Sequence, residues 1–306
     1  MLAALLSTFL FSISVICGHR TARLIGGVEA NFWRLLLGAL LLGAWANTVG
    51  KGLTGDALPI FLLSGFIGIG IGDAGFFEAL PRLGSRLSVL LIQCLSAPLA
   101  AVVEWLWLGT TLGGVQVLCA LVTLAGVGVV LAPGDHLTIP RRQLVAGILF
   151  AILGAAGNGL GAVLSRKAYA IAHAAGESLD GGTAAYQRIL GGLIVAAVLV
   201  LLVKRRFVRL PNEAATSADT AGTRDKWRKI WPWVAVNSLA GQALGVSCMQ
   251  WALEHTPSGV VMAVIALTPI VVIPLARVFE GERVTARSLA GGAIAVAGAA
   301  GLALAK

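Results

Sequence analysis

The stretch Pro59–Leu80, PIFLLSGFIGIGIGDAGFFEAL, decides the fold because a related stretch follows as Pro232–Leu253, PWVAVNSLAGQALGVSCMQWAL. The residues shared at a spacing of 173 are Pro59, Gly68, Gly72, Ala79 and Leu80 in the first stretch and Pro232, Gly241, Gly245, Ala252 and Leu253 in the second. Arg34 recurs as Arg188, and Ala125-Gly126 recurs as Ala297-Gly298. Single matches between segments rich in Gly, Ala and Leu arise by chance, but their shared order indicates a duplication. Duplicated hydrophobic halves are typical of secondary transporters.

The composition places the chain in a membrane. Of its 306 residues, 58% are hydrophobic and 12% are charged, whereas soluble domains carry about 25% charged residues. Because a helix needs roughly 20 apolar residues to span a bilayer, the apolar runs predict an all-α integral membrane protein with ten transmembrane helices. The predicted spans are 2–18, 28–47, 58–80, 86–108, 113–132, 145–165, 184–203, 229–253, 258–279 and 286–305.

The net charge of +9 does not indicate nucleic-acid binding, because the basic residues cluster in loops between the predicted helices. Such clusters are typical of loops that contact anionic lipid headgroups. The four cysteines all fall within predicted helices and form no C-x-x-C pair, and the four histidines are scattered. We therefore expect no metal site, no cofactor and no nucleic-acid partner.

Ten helices in two halves give five helices to each half. Because five is odd, the second half enters the membrane from the opposite side, so the halves are predicted to be inverted repeats. We expect the first repeat at residues 1–134 and the second at 143–306. The loops after odd-numbered helices hold most of the basic loop residues, above all in the long 204–229 loop, which we expect to be flexible. The positive-inside rule then places these loops in the cytoplasm and both termini outside.

Several motifs resemble those of EamA-type members of the drug/metabolite transporter superfamily. Phe32–Gly38, FWRLLLG, is similar to the arginine-bearing start of the family's second helix. The pattern that closes each repeat is matched by Ala79-Leu80, Leu95–Pro98 and Leu108-Gly109, and again by Ala252-Leu253, Leu267–Pro269 and Glu280–Glu282. The first repeat departs from the pattern, since Thr110 stands where the family has a glutamate. The likeness runs from about residue 2 to residue 305.

This resemblance implies ten helices, with helices 3, 4, 8 and 9 around a central cavity and helices 5 and 10 packed together at the edge. It also implies both termini in the cytoplasm, which is the reverse of the prediction from loop charges, so the orientation stays open. The activity that it implies is export or exchange of small polar metabolites, amino acids among them.

Glycines and prolines at matched positions are candidates for gating or packing. Glycines four residues apart form a groove that admits a neighbouring helix, and a proline inside a helix bends it. The alternative roles are static packing and a fixed bend. The candidates are Gly68, Gly72, Pro98, Gly241, Gly245, Pro269 and Pro274, and Gly157 and Gly161 form one further pair.

Ionisable residues within a membrane are functional candidates by default, because burying them is costly. Asp73 could carry a coupling proton, bind a cationic group of the substrate, or serve as a structural partner for Arg34. Arg34 and Arg188 could each hold a substrate carboxylate, although side chains near helix ends more often extend to the membrane interface. Glu78 and Arg82 are expected to form an ordinary i,i+4 pair.

Intramembrane amides complete the predicted substrate-binding or coupling set. Gln93, Asn158 and Gln242 could hydrogen-bond a substrate, or could instead link two helices. The sequence contains no nucleotide-binding P-loop, G-x-S-x-G or H-E-x-x-H motif, so neither ATP coupling nor an enzyme is expected.

Together these patterns predict a secondary transporter for a small-molecule substrate, driven by protons or by the substrate's own gradient, in a bacterial inner membrane. The alternative is a structural or partner-binding membrane protein without transport activity. Two fused halves are compatible with a monomer, but the sequence leaves the oligomeric state open.

Overall fold

Helices form nearly all of the structure, a computed structural model that describes residues 2–108, 113–131, 139–208, 219–255, 261, 264–281 and 285–304. The α-helices are α1 (Leu2–Ile25), α2 (Gly27–Thr48), α3 (Leu58–Gly65), α4 (Asp73–Leu83), α5 (Ser85–Leu108), α6 (Gly114–Leu131), α7 (Arg141–Ala174), α8 (Gly181–Val208), α9 (Asp219–Asn237), α10 (Val246–His255), α11 (Thr268–Glu280) and α12 (Ala286–Leu304). No β-strand occurs within these described ranges. The all-α prediction is therefore confirmed.

Two of the predicted helices are interrupted by wider turns. A π-helical segment, π1 (Phe66–Gly72), joins α3 to α4, and a second, π2 (Ser238–Gly245), joins α9 to α10. The π-helix is rare and often marks a functional site. The two segments fall on the matched glycine motifs, Gly68 with Gly72 and Gly241 with Gly245, so both motifs have the same backbone conformation.

Five helices of the described chain are long and apolar enough to cross a membrane. They span Leu2–Ile25, Gly27–Thr48, Leu58–Leu83, Arg141–Ala174 and Gly181–Val203. Shorter apolar helices occupy Ser85–Ser96, Gly114–Val130 and Leu289–Gly301. With 34 residues, α7 is about 51 Å long at 1.5 Å per residue, longer than the roughly 30 Å hydrocarbon core. It therefore extends beyond the predicted 145–165 span at both ends.

The long loop predicted at 204–229 is shorter than expected. Helix α8 continues to Val208 and α9 begins at Asp219, so helix replaces both ends of that segment. Residues 209–218 lie outside the described part of the chain. The predicted repeat boundary at residue 134 also lies outside it, as do the motif residues Gly109 and Thr110.

Single glycines make the sharpest connections. Gly26 joins α1 to α2 with a φ of 87°, and Gly84 joins α4 to α5 with a φ of 80°. A side chain is strained in this region of backbone conformation, whereas glycine is not. Each turn brings consecutive helices side by side at the same end of the bundle.

Helices α6 and α12 pack closely through small residues. A Cβ atom at Gly126 would lie 2.7 Å from the Cα of Ala295, and one at Gly291 would lie 2.8 Å from a methyl group of Val130. These helices correspond to the predicted spans 113–132 and 286–305. The two spans pack against each other, as the family resemblance implied.

Asp180 caps the start of α8 and ties it to α2. Its Oδ1 atom accepts hydrogen bonds from the backbone N–H groups of Gly182 and Thr183, each at 3.0 Å, and from Trp45 Nε1 at 3.1 Å. Burial alone would raise the pKa of Asp180, but the hydrogen bonds from Thr183, Trp45 and Gly182 together hold it below its ordinary value. The cap satisfies backbone donors that would otherwise lack an intrahelical partner.

Candidate functional site

A cavity of about 120 Å³ lies inside the bundle, where helices from both sequence repeats meet. All six predicted substrate-binding or coupling residues line it, namely Arg34, Asp73, Gln93, Asn158, Arg188 and Gln242. Gly68, Gly72 and Gly241 line it as well. Arg34 and Gln242, which are 208 positions apart in sequence, thus share one site, which only tertiary packing brings together.

The π segments place two of these polar residues. Asp73 is the first residue after π1, and Gln242 lies within π2. A π turn interrupts the regular i→i−4 ladder and re-aims the following side chains. Because both interruptions occur in the helices that line the cavity, they present a carboxylate and an amide to the same space.

Arg34 and Asp73 form an ion pair inside the bundle. The distance from Arg34 Nη2 to Asp73 Oδ2 is 2.5 Å, and Nη2 also lies 2.9 Å from Asn31 Oδ1. The guanidinium carbon stands 4.6 Å from the ring centre of Phe77. The partner role that the sequence allowed for Asp73 is therefore present in the structure.

Gln242 joins this pair from the second half of the chain. In the amide orientation that satisfies both groups, its oxygen accepts from Arg34 Nη1 at 2.7 Å and from Nη2 at 3.1 Å. The opposite orientation would place its nitrogen 3.4 Å from Asp73 Oδ2. In the first orientation, Arg34 has three oxygen acceptors, from Asn31 of α2, Asp73 of α4 and Gln242 of π2.

Arg188 enters the cavity from α8. Its Nε donates to Ser64 Oγ at 3.1 Å, and Ser64 Oγ lies 2.7 Å from the carbonyl oxygen of Gly161 and 2.9 Å from Ser165 Oγ. These contacts fix the guanidinium between α3 and α7. Ser64 was not among the predicted site residues.

The expectation that Arg34 and Arg188 extend to the membrane interface is wrong. Each is only 4% exposed, and each directs its guanidinium to partners inside the bundle. The reason is that buried acceptors within reach, Asp73 and Ser64, compensate for the loss of water around the charge.

The glycine motifs let neighbouring helices approach the cavity. A Cβ at Gly68 would lie 3.2 Å from the Cα of Gly161, and one at Gly72 would lie 3.3 Å from the Cα of Gly157. Two predicted glycine pairs, one on π1 and one on α7, therefore cross face to face. This close approach places Asn158 of α7 next to Gly72.

The second glycine motif, Gly241 with Gly245, packs against α1 as Gly68 and Gly72 pack against α7. A Cβ at Gly241 would overlap Ser14 Oγ, and one at Gly245 would lie 2.8 Å from the ring of Phe11. Ser14 Oγ donates to Asn237 Oδ1 at 2.6 Å. Asn237 lies 173 residues after Ser64, the spacing of the repeat, so this spacing was the sequence signal that could have identified both residues.

None of the three predicted prolines is among the described residues that line the cavity. Pro98 lies inside α5 and Pro274 inside α11, as expected. Pro269 was also expected inside its helix, but it occupies the first turn of α11. A proline there breaks no intrahelical hydrogen bond, because the first N–H groups of a helix have no intrahelical acceptor.

Among the described residues that line the cavity, two arginines and one aspartate are charged. The site therefore carries one excess positive charge, with amides at Gln93 and Asn158 and apolar walls from residues such as Phe76 and Ile92. Within the described ranges, no cluster of three or more His, Cys, Asp or Glu residues could hold a metal ion. Charged and amide groups within apolar walls are suited to binding a small polar solute.

The predicted pair at the end of α4 is confirmed. Arg82 Nη1 lies 2.6 Å from Glu78 Oε2. Neither residue lines the cavity, so the pair supports the helix end and offers a control for experiments on Asp73.

Comparisons with known proteins agree with this architecture. A model of the EamA-like transporter family matches residues 1–132 and 145–304. A "Probable terminal-alkyne amino-acid exporter" of Streptantibioticus cattleyicolor is 34% identical over 91 residues, a match that covers 30% of this chain and 31% of that protein. A solved structure, "Crystal structure of protein", superposes with a TM-score of 0.63 and 16% identity, covering 98% of this chain and 95% of the other, and so shares its fold.

Proposed function

Because the chain belongs to the EamA-like transporter family, we propose that it is a secondary transporter that exports or exchanges small polar metabolites such as amino acids. The observation that carries the proposal is the cavity, in which charged and amide side chains from both repeats meet inside an apolar helical bundle. Intramembrane ionisable groups mark substrate and ion pathways. A structural membrane protein without transport activity would have no need for such a site.

The size of the cavity supports a small substrate. At about 120 Å³, it is well below the roughly 300–1,000 Å³ of pockets that hold drug-sized ligands. The Streptantibioticus relative is described as a probable amino-acid exporter, which supports amino acids as the class to test first.

The proposed topology has ten spans in two inverted repeats, residues 1–134 and 143–306. The support is the paired π segments and the family match in two parts. Gly68 and Gly72 cross α7, whereas Gly241 and Gly245 cross α1, so each repeat packs its motif against the first helix of the other. The proposed location is a bacterial inner membrane.

Alternating access would follow from a rocking motion of these repeats. In this mechanism the helices slide where the glycine motifs meet α7 and α1. Small residues at these contacts let helix backbones move past each other while they stay packed. Pro98 and Pro274 would allow α5 and α11 to bend, and Pro269 would do so at the start of α11. Ordered motion of the two repeats would expose the cavity to each side in turn.

Counterflow in proteoliposomes tests the proposed function. Purified protein, in vesicles preloaded with an unlabelled solute, would be offered the same labelled solute from a panel of amino acids, amines, organic acids and nucleosides. We expect transient accumulation of at least one amino acid, absent from protein-free vesicles. Accumulation of none of the panel would contradict the proposal.

Asp73 is the proposed coupling residue if protons drive transport. We expect Asp73→Asn to transport at the same rate with and without an imposed pH gradient, because asparagine keeps the side chain's shape but cannot carry a proton. The measurement is the initial rate of uptake at equal and unequal pH across the vesicle membrane.

The matched control is Glu78→Gln, which removes a carboxylate from the end of the same helix but outside the cavity. This variant should respond to the gradient as the unmodified protein does. An Asp73→Asn protein that keeps the full response would remove Asp73 from the coupling role.

A further inference from the structure

Arg34 and Arg188 occupy matched positions in the two repeats but have different surroundings. We propose that Arg188 binds the carboxylate of the substrate, while Arg34 serves only to hold Asp73. The inferred substrate is a small zwitterion with a carboxylate, an amino group and an apolar body. This inference rests on the proposed transport function and specifies its substrate.

The terminal donors of Arg34 are already engaged, and its Nε is buried without a hydrogen-bond partner among the described residues. Its terminal nitrogens contact Asn31, Asp73 and Gln242, and Phe77 lies against its face. A substrate carboxylate would have to displace Asp73 from the 2.5 Å pair. That exchange would leave a second carboxylate without its partner inside the bundle, which is unfavourable.

Arg188 has a different set of contacts. Its Nε atom is held by Ser64 at 3.1 Å, while Nη2 lies beside Gly68, where an added Cβ would approach it to 3.3 Å. Among the described residues, no carboxylate lies within ion-pair distance of Arg188. One oriented guanidinium that lines the cavity and is not ion-paired is suited to bidentate binding of a carboxylate.

The remaining groups fit the rest of a zwitterion. The contact of Asp73 with Arg34 involves Oδ2, so Oδ1 is the atom assigned to the substrate's ammonium group. Asp73 and Arg188 line the same cavity and interact electrostatically. The apolar body would contact walls such as Ile92 and Met249.

The test compares amino acids with their amides, using leucine and leucinamide as the first pair and alanine and alaninamide as the second. Binding to the purified full-length protein is followed by thermal stabilisation, and exchange by counterflow. We expect the acids to bind and the amides to bind at least tenfold more weakly. Arg188→Gln should weaken binding of the acids by roughly 10- to 100-fold, the range for a lost hydrogen bond to a charged group, and should remove the preference for acid over amide.

Arg188→Lys keeps the charge but not the bidentate fork, so it should bind the acids with intermediate affinity. Arg142→Gln, an exposed substitution at the start of α7, is the matched control and should leave the preference unchanged. Binding of the amides by Arg188→Gln would show that this variant is folded. If Arg188→Gln does not fold, the affinities of Arg188→Lys for the acids and the amides are compared instead. If Arg188→Gln still prefers acids to amides, Arg188 is not the residue that binds the carboxylate, but the proposal of a zwitterionic substrate stands. If the unmodified protein responds to neither leucine nor alanine, the zwitterion proposal is overturned. Counterflow of other solutes in that case would leave the transport function standing.

A second, independent observation concerns one end of the cavity. Glu280 Oε1 lies 2.8 Å from His19 Nδ1, and Ser85 Oγ donates to Glu280 Oε2 at 2.7 Å. This triad, His19, Ser85 and Glu280, joins the last turns of α1, the first residue of α5 and the last residue of α11. The geometry points to a gate that closes this end of the cavity and joins the two sequence repeats.

An apolar layer lies one or two helical turns inside the triad. It contains Val15, Val89, Val272 and Ala276, which pack with Phe77 in one cluster. Val15 and Val89 also line the cavity, and each lies four residues, about 6 Å along its helix, from its triad member. The order from the bundle end inward is therefore the polar triad, the apolar layer and the cavity.

Alternating access requires this end to open, which would separate Glu280 from His19 and Ser85. The triad therefore stabilises the closed arrangement relative to the open one, and its loss should shift the population toward the open arrangement. Neither His19 nor Ser85 was predicted from sequence, because the triad exists only when α1, α5 and α11 meet.

Cys17 reports on this gate, since it is 4% exposed and lies two residues from His19. In a protein with Cys94, Cys119 and Cys248 changed to serine, we expect Glu280→Ala to raise the rate of Cys17 labelling by a water-soluble maleimide about tenfold. Glu78→Ala, at the same end but outside the triad, should leave the rate unchanged. An unchanged rate in Glu280→Ala would overturn the gate.

A variant in which His19 and Glu280 are exchanged shows whether fast labelling of Cys17 comes from loss of their contact or from a general loss of stability. His19→Glu combined with Glu280→His restores an acid–imidazole pair and should return labelling to the slow rate, whereas either single change should label fast. If Glu280→Ala does not fold, Glu280→Gln replaces it, because the amide keeps an acceptor for Ser85 but removes the charge that faces His19. Fast labelling that persists in the swapped variant would overturn the role of the pair.

Discussion

Replacing Gly65 with alanine should prevent the protein from folding into a stable bundle. A Cβ atom at this position would overlap the carbonyl oxygen of Arg188 and lie 2.5 Å from its carbonyl carbon and 2.7 Å from its Cα. The obstructing atoms belong to the backbone of α8, which cannot rotate away as a side chain can. The contact is reciprocal, because a Cβ at Gly191 would overlap the carbonyl oxygen of Leu62.

The only relief is for α3 and α8 to move apart. That movement would open the packed interface and separate Arg188 from Ser64, so both stability and binding should be lost. Overpacking costs about 1–3 kcal/mol and occasionally more, and we expect Gly65→Ala to lie at or above the upper end of this range. The measurement is the monodisperse fraction after heating in detergent, together with counterflow.

Gly128→Ala is the matched control, since a Cβ at Gly128 meets nothing within 4 Å. It should be neutral or stabilising by up to about 1 kcal/mol, because alanine favours a helix over glycine. If Gly65→Ala and Gly128→Ala melted alike, the close approach of α3 and α8 would be wrong.

Arg34→Met should have the second-largest effect, because it leaves Asp73 as a carboxylate without its 2.5 Å partner. Removing one member of a buried ion pair costs about 3–5 kcal/mol. The Asp73 side chain is 24% exposed to the cavity, so water there should keep the loss toward the lower end. Transport should be lost as well, because Arg34 would no longer hold Asp73 in position in the cavity.

The double variant Arg34→Met with Asp73→Leu separates the stability cost of an unpaired carboxylate from the loss of transport. Replacing both charges by apolar side chains removes the uncompensated carboxylate, so thermal stability should recover to near that of the unmodified protein. Transport should not recover, because Asp73 is the proposed coupling residue and ammonium site. Thermal unfolding of the two single variants and the double variant forms a cycle that isolates the pair. A double variant no more stable than Arg34→Met would contradict this account.

Repetition in the sequence proved informative because the helix motifs that line the cavity lie at matched positions in the two halves. Gly68 and Gly241, 173 residues apart, both fall within π segments beside the cavity. The six predicted polar residues likewise line the cavity. Composition and periodicity report such features because they depend on each helix alone.

The sequence could not show how the two arginines differ. Arg34 and Arg188 have similar surroundings along the chain, with an aromatic residue within two positions before each. The difference arises because Arg34 meets Asp73 from α4, whereas Arg188 meets Ser64 from α3. The same limit applies to the triad at His19, whose partners lie 66 and 261 residues away.

By itself, the sequence determined the all-α membrane class, the duplication and the set of polar residues available to a transport site. These follow from local rules, because apolar length, helix periodicity and the cost of buried charge act on each segment separately. Only the tertiary structure decided which charges are paired, which residues meet at the His19 triad and where the backbone widens into π turns. Those features depend on the distance between atoms of different helices, and an electrostatic or hydrogen-bond energy changes within a few ångströms.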